Sequence, residues 1–342
     1  MKSGASIAVT LRNAGAVIDS FVAYHLAIGF DQVFLFFDDE NDPAFSRFSN
    51  NDSVTPIRHD QKLRQAWSKL PIWGLMGPYI DLEVMARQTL NASLAMELAE
   101  RKGLKWLLHI DIDELFLPTQ KTVKDHFAAL NVGGDEVVRY LNFEGVPERE
   151  EIGNYFEEIT LFKVSPQMRP PLSDAQSALL KRTPQLWPQF FNYYANGKAS
   201  VRLGRGLQPQ GVHTFARLRG ETNVSVSSEG VILHYPSCGF EHFWVKYRTL
   251  GRFSDRFWDR PAFVANDAPM PLKPVPIVDC SGTYHLEARD VVATNDRENA
   301  RAFYLKRTVM QDQTQTLELI RSGLLKRIPQ PSEVVRRLHR PA

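Results

Sequence analysis

Cysteine is nearly absent from this 342-residue chain, which has only Cys238 and Cys280. Two thiols cannot build a disulfide framework, and neither lies in a Cys-x-x-Cys pair, so a zinc ribbon is excluded as well. An excess of either charge is also missing: 41 Lys and Arg face 39 Asp and Glu, for a net charge of +2, and no run of five like charges occurs. No nucleic-acid partner is therefore expected. No stretch reaches the roughly 20 apolar residues of a membrane span. The short run Ile7-Ala8-Val9 lacks the length of a signal peptide's apolar region. The expectation is a cytoplasmic protein, with peripheral membrane association left open. There is no internal repeat, no His-Glu-x-x-His, no Gly-x-Ser-x-Gly and no NTPase phosphate loop, so peptidase, esterase and NTPase readings lack support.

What is present is an ordinary globular composition, 43% hydrophobic and 23% charged, long enough for one large core or two modest ones. The first half alternates strand and helix. Ile7 to Leu11 has strand length and ends at the turn Arg12-Asn13-Ala14-Gly15. Val17, Ile18, Phe21, Val22 and Leu26 follow at helical spacing until Gly29. Val33 to Phe37 is apolar on both faces, as a strand covered by helices on each side would be. A helix from about Tyr79 to Arg101 precedes a second buried strand, Trp106 to Ile110, and Thr122 with Asp125 reads as the cap of a helix through Leu130. This alternation predicts an α/β fold, a mostly parallel sheet with helices on both faces.

Shorter strands are expected beyond Glu136: Val137 to Phe143, Phe190 to Tyr194, Ala199 to Leu203, Val212 to Leu218 and Val231 to Tyr235. Pro166 to Leu172 and Thr183 to Pro188 read as loops. An aromatic helix from Phe240 to Trp258 follows, then a proline-rich linker from Pro261 to Pro276 and helical segments. The expected layout is a core domain over 1–260 and a helical C-terminal extension over 261–342.

Two of the strands end in carboxylates. In an open α/β sheet, ligands bind beyond the carboxyl ends of the strands. Asp111-Ile112-Asp113 is the sharper case: in extended chain, residues i and i+2 point to one side, so both carboxylates face the same way. Two oxygens at this spacing suit a hard cation, Mn²⁺ or Mg²⁺, which also holds a substrate diphosphate. Glu114 adds a third carboxylate, and packed carboxylates repel one another without a cation. Asp38 ends the earlier strand in the same manner, as a hydrogen-bond acceptor for a nucleotide base or ribose or else as a solvated turn residue. Lys198, after Asn196-Gly197, and Arg202 offer positive charge to a diphosphate.

Thr10-Leu11-Arg12-Asn13, then Phe21 through Tyr24-His25-Leu26 to Gly29-Phe30, then Phe36-Phe37-Asp38-Asp39, and Trp106 to Glu114 followed by Leu115-Phe116, together resemble the family 2 and family 92 glycosyltransferases. The likeness covers about residues 6 to 120 and returns at Leu233-His234-Tyr235. It implies a GT-A fold (the Rossmann-like fold of nucleotide-diphospho-sugar transferases), a nucleotide-diphosphate sugar donor with a UDP-sugar favoured, Mn²⁺ or Mg²⁺, and transfer with inversion to a glycan or other hydroxyl acceptor. Carried over onto this chain, Arg12, Asn13 and Asp38 contact the donor, and Asp111 and Asp113, the Asp-x-Asp (DXD) motif, share ribose, metal and diphosphate. Arg87, Gln88 and Asn91 face the donor from the preceding helix, and His234 is a further metal ligand. The acidic turn departs from the usual Asp-x-x-Ser-x-Asp, reading Asp38-Asp39-Glu40-Asn41-Asp42, which leaves open which acid meets the nucleotide.

An inverting transfer needs a base for the acceptor hydroxyl proton. Glu144, at the end of the strand after the acid cluster, is the first choice, with Glu148 and Glu241 as alternatives. Two other readings of the chain are a metal-dependent nucleotidyl or phosphate-ester enzyme using the same acids, and a non-catalytic sugar-binding protein on a transferase scaffold. Phe240, Phe243, Trp244 and Tyr247 read as core, or as a platform on which sugar rings stack.

Overall fold

The computed structural model describes residues 4–15, 17–250 and 282–339. These fall into two compact units that interleave along the chain: residues 4–140 with 197–231, and residues 141–196 with 232–250 and 282–339. The boundary expected after residue 260 lies outside the described residues, as do Cys280 and the aromatic residues Phe253, Phe257 and Trp258.

The first unit is built on a mixed α/β sheet. Strands β1 (Ala5–Leu11), β2 (Gln32–Phe37), β3 (Val54–Arg58) and β4 (Trp106–His109) run parallel in the order β3-β2-β1-β4. Every residue of β2 is buried, as its unbroken apolar run requires of a strand covered on both faces. The helix Val17–Ala27 connects β1 to β2 and stops where Gly29 adopts φ 112°, a backbone region that a residue with Cβ rarely enters. The helix Val84–Arg101 leads into β4 and buries Leu90, Leu94 and Ala95 in a core shared with Phe34, Phe36, Trp67 and Leu107. Burial of such large side chains contributes roughly 1.5–3 kcal/mol each.

Beyond β4 the sheet becomes mixed. β5 (Glu114–Pro118) follows the acid turn, and β6 (Val137–Gly145) places its first residues against β8 (Lys198–Arg202), which is antiparallel to β4. Thr122 caps the helix Val123–Val132, accepting from the Asp125 N–H at 3.1 Å, as expected. β9 (Leu207–Gln210) and β10 (Thr214–Arg217) form a separate hairpin, and β11 (Val224–His234) pairs with β5.

In the second unit, the end of β6 pairs with β7 (Leu161–Lys163), and β7 with β12 (Leu325–Arg327). Helices surround these strands. The aromatic helix is Phe240–Leu250 as far as it is described, and Phe240, Phe243, Trp244 and Tyr247 are core residues, packed with Tyr284 and Tyr304. The C-terminal region is helical, as expected: Gly282–Ala293, Arg297–Arg307, Gln313–Arg321 and Gln330–His339. Among the described residues, no helix is long and apolar enough to cross a membrane.

Candidate nucleotide and acid-turn site

The carboxyl ends of β1, β2 and β4 converge in the first unit. Adjacent strands β1 and β4 lead into crossovers on opposite sides, which is the crevice where open α/β sheets bind ligands. One face of the helix Val84–Arg101 lies over this end, because Arg87, Gln88 and Asn91 fall within one helical turn.

Arg87 clamps Asp38 in a bidentate pair, its Nε 2.6 Å from Oδ1 and its second terminal nitrogen 2.8 Å from Oδ2. His59 approaches the same carboxylate at 3.6 Å. Burial would raise the Asp38 pKa, but the hydrogen bonds from His59 and Arg87 outweigh it and bring it down to about 2. Asp38 is therefore an anchored anion. Asp42 is occupied differently: it accepts from the N–H of Asn13 at 3.0 Å and of Ala44 at 2.9 Å, and so shapes the turn. Between them, Arg12, Asp38, Asp39, Glu40, His59, Asp60, Gln61 and Arg64 line a polar cleft of about 430 Å³. His59 was not singled out by the sequence; its Nε2 is buried without a hydrogen-bond partner, a state usually relieved by a ligand or water.

Asn91, expected to face the donor, is instead a buried link. Its amide donates to Thr10 Oγ1 at 2.9 Å and its oxygen accepts from Trp67 Nε1 at 3.0 Å. Gln88 does reach the acid turn, donating to Asp111 Oδ1 at 2.9 Å.

Lys198 holds the other oxygen of Asp111, Nζ to Oδ2 2.6 Å, and lies 3.7 Å from Glu114. Strand register explains this contact: β8 pairs Ala199 with His109, so the residue before Ala199 sits beside the segment where the chain leaves β4. The lysine is completely buried. Burial would lower its pKa, but the carboxylates of Asp111 and Glu114 raise it above the ordinary value, so the ammonium stays charged. Glu114 closes the turn by accepting from the Asp111 N–H at 2.7 Å. Burial pushes the Glu114 carboxyl well up, against the opposing Lys198 charge, and its Oε1 has no hydrogen-bond partner.

Two histidines that sequence reasoning passed over complete this environment. His109 precedes the acids, and burial together with the Lys198 charge holds it neutral, at about 3. His213, after Gly211-Val212 in the hairpin turn, bonds the Gly197 carbonyl at 2.9 Å and is held at about 4, chiefly by burial and by Lys198.

A divalent cation here would draw its oxygens from Asp111 and Asp113. Both oxygens of Asp111 already accept hydrogen bonds, one from the half-buried Gln88 and one from the buried Lys198. Among the described residues, no three His, Cys, Asp or Glu side chains are arranged to hold a metal ion. As arranged, this donor set does not fit a metal.

The remaining expected residues belong to the second unit. His234 stacks on Tyr194, ring centroids 4.7 Å apart. Glu144 is almost completely buried and accepts from Lys163 Nζ at 2.7 Å and from the N–H groups of Asn192 and Tyr193 at 2.9 and 2.8 Å. Glu148 makes a bidentate pair with Arg327, both contacts 2.6 Å, and Glu241 pairs with Arg297.

No family model matches the chain. Two proteins of Arabidopsis thaliana described as glycosyltransferase-like are similar to it. One is 26% identical over 329 residues, 93% of this chain and 68% of its own length. The other is 27% identical over 332 residues, 93% of this chain and 60% of its own length. Among solved structures, the crystal structure of S. aureus TarS matches 74% of this chain and 40% of its own at 14% identity with a TM-score of 0.30, too loose a superposition to carry weight. The chain is thus similar to glycosyltransferase-like proteins over nearly all of its length.

Proposed function

We propose that this chain is an inverting glycosyltransferase of the family 2 and family 92 type, moving a sugar from a nucleotide-diphosphate donor, with uridine favoured, to a hydroxyl of a glycan or another acceptor. The observation that carries this reading is the charged cluster Gln88–Asp111–Lys198 beyond the carboxyl end of β4, beside the polar cleft at the ends of β1 to β3. Similarity to glycosyltransferase-like proteins supports it.

In this reading the nucleoside occupies the cleft, where Arg12, Gln61 and Arg64 meet its polar edges. The diphosphate lies by the acid turn. As the acceptor oxygen attacks the anomeric carbon, the bond from that carbon to the diphosphate oxygen breaks, and the Lys198 ammonium offsets the charge that develops on the leaving group. The acceptor proton passes to a base.

A screen of nucleotide-diphospho-sugars, read by product mass, tests the proposal. The expected result is release of nucleoside diphosphate with one donor, falling about a hundredfold or more in Lys198→Met. Turnover of no donor would overturn it, and cleavage within the diphosphate would favour a phosphate-ester enzyme instead.

A further inference from the structure

We propose that Lys198 is the resident cation of the acid turn, so that the chain binds a nucleoside diphosphate without a divalent metal ion. This rests on the glycosyl-transfer reading and sharpens it, because acids at this spacing otherwise predict metal dependence.

The argument begins with geometry. The β4·β8 register delivers one lysine to the turn, and its Nζ lies 2.6 Å from Asp111, 3.7 Å from Glu114 and 3.4 Å from the Val212 carbonyl. Gln88 holds the remaining Asp111 oxygen at 2.9 Å. A metal ion approaching Asp111 would lie close to a fixed positive charge of the same sign, on a carboxylate whose two oxygens already accept from Lys198 and Gln88. The ammonium already supplies the opposite charge that Asp111 would otherwise take from a metal ion. The other nearby groups do not restore a metal site: Glu114 is closed onto the Asp111 N–H, and His213 bonds the Gly197 carbonyl through Nδ1.

Calorimetric titration of the full chain with UDP and with GDP, in EDTA and then in excess Mn²⁺ or Mg²⁺, tests the proposal. Affinity in EDTA is expected to lie within about threefold of that with metal. Lys198→Met should weaken binding in EDTA by about tenfold or more, whereas Lys198→Arg should keep most of it. Binding that falls about tenfold or more in EDTA and returns with Mn²⁺ would overturn the proposal, as would wild-type affinity in Lys198→Met. If Lys198→Met does not fold, the wild-type comparison decides alone. Binding under neither condition would overturn the glycosyl-transfer reading itself, a result distinct from metal-dependent binding.

Discussion

Asp38 shows how a residue lining the proposed nucleoside cleft doubles as a structural one. Its side chain is 5% exposed and bidentate to Arg87, and its pKa is lowered from 3.8 to about 2. Because the folded value lies below the unfolded one, the stabilisation is complete above about pH 4 and is lost as the pH falls through about 2; it amounts to about 2 kcal/mol. Urea unfolding should therefore find Asp38→Asn less stable than wild type at pH 6, with the difference shrinking towards pH 2. Glu144 presents a different case. It joins Lys163 and two backbone N–H groups inside the second unit, so Glu144→Gln should cost roughly 3–5 kcal/mol in urea unfolding, through the unpaired Lys163. The double change Glu144→Gln with Lys163→Met should recover part of that loss. At this scale the sequence was a partial guide. Asp38 and Asp111 were marked by their strand ends and Lys198 by the Asn-Gly turn before it, whereas Gln88 was named only through the family resemblance. His59 and His213 were not legible: neither lies in a motif, and each acquires its neighbours only when distant segments pack.

Among the elements, the central helices and strands followed their periodicity, and the departures have local causes. The edge strand β3 contains Pro56, which cannot donate to a ladder and masks the strand pattern. The helix Gln61–Trp67 is too short and polar to show a clear stripe. The run Phe190 to Tyr194, expected as a strand, forms none: the Asn192 and Tyr193 N–H groups go to Glu144 in place of a neighbouring strand. Its aromatic residues supply the burial that reads as a strand. Backbone closeness has its own marker in β11, where a Cβ on Gly230 would stand 2.6 Å from the buried Phe116 ring and 3.2 Å from Tyr140. Gly230→Ala should therefore destabilise by about 1–3 kcal/mol, seen as a lower melting temperature.

For the whole molecule, the alternation of strand and helix foretold the mixed α/β architecture and the helical C-terminal region. The interleaving of the two units was not legible, because it depends on which distant segments pack together. The cleft and the acid turn, where we propose that the donor binds, both lie in the first unit, at strand ends that converge at a topological switch. Amide hydrogen exchange with and without a nucleoside diphosphate tests this most directly. Protection is predicted at residues 10–13, 38–42, 58–64, 111–114 and 197–213. No change on adding nucleotide, or protection confined to residues 141–196, 232–250 and 282–339, would contradict it.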